Sequence, residues 1–342
     1  MSRRTRIARY AAALIIALAT AATTTAARSA TPDETVGGGS ISDPAQAPAP
    51  ALGTGGSGFV PVKNWNFGQD GTITDTAALD ANFQFHDQFG TIDNGGNYGS
   101  EIVAPDSASA LSGQPVQDPD HPVREFTGDS MKTYLVPLGG ATTVTPDQHN
   151  TGNGSFQPRW TLPNGGSRLN EDILWETRVR YVTPPYFWFA LWTSGNQWNC
   201  GAEMDTVESF GFDNGGGFTN YDGHLWHSNS VCGTDDVDYG DWASGMASGG
   251  ITNFDATQYH VWQWLYRKDN TYAVYVDGAQ VQSGTLNWTL GGTADGTPID
   301  MSFLVDAGWG HTQVASVNHS LPASDLAGKY YEFDYSRVYL RQ

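Results

Sequence analysis

The sequence predicts an all-β protein built as a sandwich of two antiparallel sheets. Apolar and polar residues alternate in several segments, such as 173–181, 260–266 and 331–340. A period of two is typical of strands with one buried face. No stretch has the longer apolar period of a helix, and Trp, Tyr and Phe are abundant, at 12, 15 and 15 residues. Aromatic residues fit the pleated surface of a sheet, and together these features favour a sandwich.

The strand-like segments of the second half are separated by clusters of Gly, Asn and Asp. Segments 260–266 and 272–277 flank the short polar stretch 267–271, which predicts a β-hairpin. Two further strands are predicted at 299–305 and 331–340.

The first 30 residues predict a secretory signal. Four arginines precede an apolar run over 11–22, and small residues follow it. The run is too short to cross a membrane. Residues 31–58 are rich in Pro, Gly, Ala and Ser, which predicts a linker. We therefore expect a secreted, extracellular protein with one catalytic or binding domain over 59–342.

The charge balance is strongly acidic, with a formal net charge of −19. Removing the leader makes it more negative, because the leader holds five Arg and no acid. Such a protein repels phosphate backbones, so we expect no nucleic-acid partner. We expect a monomer that acts on a neutral polymer, with no membrane association once the signal is cleaved.

The two cysteines, Cys200 and Cys232, predict one disulfide bond in an exported chain. Closing that loop contributes roughly 3–4 kcal/mol in the chain-entropy model. The alternative is a pair of free buried thiols.

Three carboxylates crowd the stretch GAEMDTVESFG at 201–211, namely Glu203, Asp205 and Glu208. A helix would turn Glu203 away from the other two. A strand places residues 203 and 205 on one face. One extra residue between 205 and 208, a β-bulge, returns Glu208 to that face. The spacing therefore predicts a bulged strand that presents three acids in a row.

Acids in a row suit the hydrolysis of glycosidic bonds. Retaining glycosidases use one carboxylate as nucleophile and one protonated acid as proton donor, roughly 5–5.5 Å apart. Repulsion between neighbouring carboxylates keeps one of them protonated. A calcium site and a solvated strand face are the alternative interpretations.

Aromatic residues precede the acids, among them Trp188, Trp192 and Trp198. Sugar rings stack their apolar C–H faces on aromatic faces, so these indoles are candidate substrate contacts. The alternative for each is core packing, and one of Trp188 and Phe189 must face inward.

The segment 173–211 resembles glycoside hydrolase family 16, in which an E-x-D-x-x-E strand follows an aromatic segment. Residues 259–278 resemble the family's Y-x-D-G hairpin, and 333–340 its closing strand. The resemblance covers about 170–342 and is poor over 59–170. It implies a concanavalin-like β-jelly-roll sandwich with an open cleft.

The resemblance also implies residue roles. Glu203 would be the nucleophile, Asp205 its assistant and Glu208 the general acid/base. A cleft His is expected after the acid strand, with His227 preferred to His224.

Two residues near the end of the chain are further candidates. Asp334 matches the acid that binds one structural Ca²⁺ in many family members, and no other cofactor is implied. Trp309, in the segment Gly308-Trp-Gly-His311, is a candidate sugar contact, or part of a packed turn.

The expected activity is retaining endo-hydrolysis of a β-linked polysaccharide. A β-1,3- or mixed-linkage glucan is the first substrate expected and an agarose-type galactan the second. A non-catalytic lectin on the same sandwich is an alternative. So is a lyase, although lyases need cations to neutralise a uronate and this chain has only 17 Lys and Arg. A structural cell-surface protein would not need the Trp-rich cleft.

Overall fold

Two antiparallel β-sheets enclose an aromatic core in the computed structural model of this chain. All described residues belong to the unit Gly38–Gln342. The structure describes residues 58–85, 124–134, 136–137, 142–144, 151–152, 156–158, 171–182, 187–195, 204–209, 224–227, 237–241, 250–251, 254–285, 301–309, 321–326 and 328–341.

Strands make up nearly all the regular structure of these residues. In chain order the elements are β1 (Val60–Asn66), α1 (Thr76–Asn82), β2 (Phe83–Phe85), β3 (Arg124–Phe126), β4 (Met131–Tyr134), β5 (Val136–Pro137), β6 (Thr143–Val144), β7 (Thr151–Gly152), β8 (Phe156–Pro158), β9 (Asp172–Val182), β10 (Phe187–Gly195), β11 (Met204–Ser209), β12 (His224–His227), β13 (Val237–Asp241), β14 (His260–Tyr266), β15 (Thr271–Val276), β16 (Ala279–Thr285), β17 (Met301–Trp309), β18 (Leu321–Pro322), a 3₁₀ helix (Ala323–Leu326) and β19 (Tyr330–Arg341).

The larger sheet has eight strands, with β16, β15, β14, β9, β19, β4 and β3 in spatial order. The long strand β19 pairs with β9 along one edge, while β4 and β1 share its other edge. The predicted hairpin is confirmed, since β14 and β15 pair antiparallel from Tyr266↔Tyr272 to Trp262↔Val276. The strands predicted at 173–181 and 331–340 are confirmed as β9 and β19, and the strand predicted at 299–305 overlaps β17.

The smaller sheet has five strands in the order β11, β10, β17, β8 and β2. Its inner face meets the larger sheet in a core that includes Leu191 of β10 and the aromatic residues Trp175, Trp262 and Trp264. Burying one such side chain contributes roughly 1.5–3 kcal/mol. The predicted all-β sandwich is confirmed.

The opposite face of the larger sheet carries ion pairs. Because strand side chains alternate, the odd residues of β9 face the core and the even residues face away. Arg180 of β9 pairs with the buried Glu332 of β19 at 2.6 Å, and Arg178 pairs with Asp334. Arg341 and Asp172 pair at 2.6 Å near the end of the same two strands.

One helix, α1, was not predicted from the sequence, and it has only seven residues. Its N-cap is Asp75, whose side chain accepts a hydrogen bond from the Ala78 backbone N–H at 2.8 Å. Leu79 is buried in the core. Two turns are too short to establish an apolar period, so only the capping residue could have indicated this helix.

No helix in the described part of the chain is long and apolar enough to cross a membrane.

Candidate active site

The acid-bearing strand β11 contains the predicted β-bulge. It pairs antiparallel with β10, and the register shifts between Leu191 and Trp192. Val207 lies opposite Leu191, but Asp205 lies opposite Trp192, so Thr206 is the extra residue. The prediction of one inserted residue between 205 and 208 is confirmed.

The bulge determines which positions share a face of the five-stranded sheet. Glu208 is paired with Ala190 and Asp205 with Trp192. Ala190 and Trp192 are two residues apart on a regular strand and so share a face. Positions 205 and 208 therefore lie on one face, which is opposite to the core face of Leu191. An unbulged strand would have separated them.

The third acid, Glu203, immediately precedes β11 and lies outside the described residues. Trp198 and both cysteines also lie outside them, so the predicted Trp contact and the predicted disulfide stay predictions.

The sequence around the acids lacks the two permanently charged basic residues. From Tyr181 to Tyr266 the chain contains no Lys and no Arg, and only histidines could carry a positive charge there. The larger sheet differs, since Glu332 has Arg180 across the β9–β19 ladder.

Two of the candidate tryptophans lie on β10, on the strand beside the acids. Trp188 lies opposite Gly308 of β17 and has the same strand parity as Trp192. Trp192 is 4% exposed, so its indole is nearly buried in this structure. Both positions share the face of residues 205 and 208, and their contact with sugar stays a prediction.

Trp309 lies on the other face of the five-stranded sheet from Trp188 and Trp192. It ends β17 and lies opposite Phe187, which shares the face of Leu191. The register therefore does not group position 309 with the acids.

His227 ends β12, which pairs with β13 through His227↔Val237. Strand β12 contacts β11, so the His-bearing hairpin lies beside the acid strand.

The candidate calcium ligand, Asp334, lies in the larger sheet at a second bulge, between Phe333↔Val179 and Tyr335↔Arg178. Its carboxylate already accepts a hydrogen bond from Arg178. Burial raises the pKa of Asp334, although the Arg178 guanidinium acts to lower it.

The described residues contain no group of three or more His, Cys, Asp or Glu that would hold a metal ion. The Asp334 carboxylate is bound to a guanidinium and Asp129 is close enough to raise its pKa, but two carboxylates alone fall short of the six to eight oxygen ligands that Ca²⁺ takes. Calcium binding by Asp334 stays a prediction.

The inserted residue, Thr206, was not singled out by the sequence analysis. The odd spacing of the acids required an extra residue, but Thr206 and Val207 are both β-branched and either fits that pattern. Thr206 is 2% exposed, and it faces the core.

Comparisons with known proteins agree with this architecture. No known family profile matches the sequence, and no curated protein is detectably similar in sequence. Among solved structures, an endo-1,3-β-glucanase from Streptomyces sioyaensis matches with a TM-score of 0.51 at 16% identity, over 86% of this chain and 99% of that one. The β-agarase B of Zobellia galactanivorans matches with a TM-score of 0.51 at 12% identity, over 76% and 85% of the two chains.

The chain shares its fold with an endo-1,3-β-glucanase and a β-agarase. The expected concanavalin-like β-sandwich is confirmed. At these identities the likeness concerns the fold alone.

Proposed function

We propose that this protein is a secreted retaining glycoside hydrolase that cleaves a β-linked polysaccharide internally. The observation that carries the proposal is the bulged register of β11, which groups positions 205 and 208 on one face. The glycosidase fold supports it, since the solved structures that share the fold include an endo-1,3-β-glucanase and a β-agarase.

Two carboxyl groups would divide the chemistry. Glu208 donates a proton to the leaving glycosidic oxygen while Glu203 attacks the anomeric carbon. Water then hydrolyses the glycosyl-enzyme, with Glu208 acting as the base. Asp205, between them in sequence, orients the nucleophile and shares its proton. The absence of Lys and Arg from 181–266 helps Glu208 to stay protonated.

The proposed substrate is a β-1,3- or mixed-linkage glucan, with an agarose-type galactan second. A strongly acidic protein favours such neutral polymers over anionic ones. We also propose that the protein acts outside the cell and as a monomer.

The decisive experiment measures new reducing ends from laminarin, lichenan and agarose. Glu208→Gln and Glu203→Gln are each expected to lower turnover by at least roughly 10²–10⁴-fold, with an unchanged far-UV circular dichroism spectrum. Glu125→Gln, a half-exposed acid on β3, is the matched control and is expected to keep wild-type turnover. Unchanged hydrolysis in either active-site variant would refute the assignment.

Stereochemistry tests the retaining mechanism separately. Proton NMR early in the reaction is expected to show the β-anomer first, and azide is expected to rescue Glu203→Ala as a glycosyl azide. First appearance of the α-anomer would indicate inversion. Tight glycan binding by the wild type without any new reducing ends would identify a lectin instead.

A further inference from the structure

The extra residue of the β11 bulge faces four side chains of the opposite sheet. Trp175 and Thr177 of β9 and Trp262 and Trp264 of β14 line one small space together with Thr206. The β9–β14 register pairs Trp264 with Trp175 and Trp262 with Thr177, so the four form a square. We call this square, Trp175, Thr177, Trp262 and Trp264, the seat.

The seat is held rigidly. Its four side chains are all nearly or fully buried. The indole N–H of Trp175 donates to Ser336 Oγ at 2.8 Å, and Thr177 Oγ1 lies 2.9 Å from the same oxygen. Buried side chains in paired strands have little freedom to rearrange, and the hydrogen bonds to Ser336 hold the β9 half of the seat.

The space between Thr206 and the seat is too small to admit a water molecule. Within the described part of the chain, the Thr206 hydroxyl has no hydrogen-bond partner. A buried hydroxyl without a partner costs stability. The branched shape of the side chain, rather than its hydroxyl, is therefore the feature that fits the seat.

The position of the bulge matters for the acids. If residue 205 were the extra one, Thr206 would take the place opposite Trp192. If residue 208 were the extra one, Val207 would take the place opposite Ala190. Either change takes one acid out of its place in the ladder, whereas an extra residue at 207 would still leave both acids opposite Ala190 and Trp192.

We propose that Thr206 is a positioning residue: its β-branched side chain, packed in the seat, fixes the bulge and so holds positions 205 and 208 on one face. Its catalytic consequence rests on the proposed glycosidase function. The packing itself does not.

Three substitutions separate shape from hydroxyl. Thr206→Val keeps the shape, and it is expected to keep kcat within twofold of wild type and to raise Tm. Thr206→Ser and Thr206→Ala lose the branch, and each is expected to lower kcat about tenfold or more with KM within twofold. Their kcat is also expected to show a shifted limb in its pH profile, because the two carboxyl groups are no longer held at fixed separation.

Thr193→Ala is the matched control. Thr193 is a fully buried Thr on β10, in the regular part of the same ladder opposite Met204. It is expected to lower Tm while leaving kcat and the pH profile unchanged.

Amide hydrogen exchange tests the packing without any substrate. A peptide spanning 204–209 is expected to exchange at least about tenfold faster in Thr206→Ala than in wild type, and at the wild-type rate in Thr206→Val. If no polysaccharide is cleaved by the wild type, the proposed function fails while this measurement still decides the role of Thr206.

The proposal is overturned if Thr206→Ala keeps wild-type kcat and exchange. It is equally overturned if Thr206→Ser is active and Thr206→Val is not, since the hydroxyl would then be the working group. A shifted pH profile in Thr193→Ala would also overturn it, because the change in Thr206→Ala would then reflect a general loosening of the sheet.

Discussion

Two of the β-bulges, one from each sheet, involve acidic residues, but the two differ in what surrounds the bulge. In the larger sheet, Asp334 is itself the extra residue, and it is paired with Arg178 on the neighbouring strand. In the smaller sheet, the extra residue is Thr206, which faces the core, and the acids flank it on the other face.

A bulge alone therefore does not indicate catalysis. The difference lies in the charges near each bulge. The segments that form the larger sheet carry arginines across the ladder from their acids, while the chain from 181 to 266 carries no Lys or Arg. An ion pair holds a carboxyl group ionised and stabilises the fold, whereas an acid that lacks a cation can keep a proton for transfer.

The largest expected effect comes from giving the smaller sheet an arginine of its own. Ala190 lies opposite Glu208, so Ala190→Arg imitates the Arg180–Glu332 pair of the larger sheet. A guanidinium there is expected to lower the pKa of Glu208, and to lower turnover at pH 7 by about tenfold or more. The pH–rate profile checks this, and its alkaline limb should move to lower pH.

Ala190→Gln controls for the size of the new side chain. It should leave the alkaline limb in place. Equal shifts in the two variants would contradict the role of charge.

Removing a paired acid from the larger sheet should affect stability instead. Glu332 is 3% exposed and is bound by Arg180 and by the Ser130 hydroxyl at 2.5 Å. Glu332→Ala is expected to cost about 3 kcal/mol in urea unfolding, because it leaves a guanidinium without its partner. Turnover per folded molecule should stay at the wild-type level, and a specific loss of turnover would break the contrast between the sheets.

Asp334→Asn should have a smaller effect, since both partners of its ion pair are partly exposed. We expect a loss of about 1 kcal/mol, measured by urea unfolding in the presence of EDTA. The same variant tests whether Asp334 binds calcium. If Asp334 is a calcium ligand, added Ca²⁺ raises the Tm of the wild type and not that of Asp334→Asn, and equal responses would remove Asp334 from any calcium site.

The smallest effect concerns an ion pair of the larger sheet that titrates. His260 Nδ1 lies 2.7 Å from the Asp277 carboxylate, and its Nε2 lies 2.9 Å from the Asp255 carbonyl oxygen. Burial acts to lower the pKa of His260, but the bonds and charges of Asp277 and Asp255 outweigh it, so the pKa is raised.

A raised folded-state pKa means that the stabilisation is complete below the unfolded value of about 6.5 and is lost as pH rises through the folded value. His260→Gln should therefore lose up to about 1 kcal/mol at pH 5.5 and less at pH 9. A constant difference between the two proteins across this range would show that the pair does not titrate as inferred.

Local pattern was enough for the strands and for the irregularity near the acids. The alternation over 331–340 predicted β19, and the two-then-three spacing of Glu203, Asp205 and Glu208 predicted a bulge. Helix α1 was not predicted because seven residues are too few to show a helical period. Its cap and the packing of Leu79 in the core stabilise it instead. The pairing of Asp334 with Arg178, 156 residues away, was not predicted either.

The sequence by itself determined the class of fold, the positions of the long strands in the chain and the need for one extra residue among the acids. These follow from the period of a strand and from the identity of neighbouring residues. Only the tertiary structure decided that the extra residue is Thr206, that it faces two strands from the opposite sheet, and that Glu332 rather than the β11 acids has an arginine opposite. Those facts depend on which distant strands pair, and pairing over long separations is set by packing and register that no local pattern encodes.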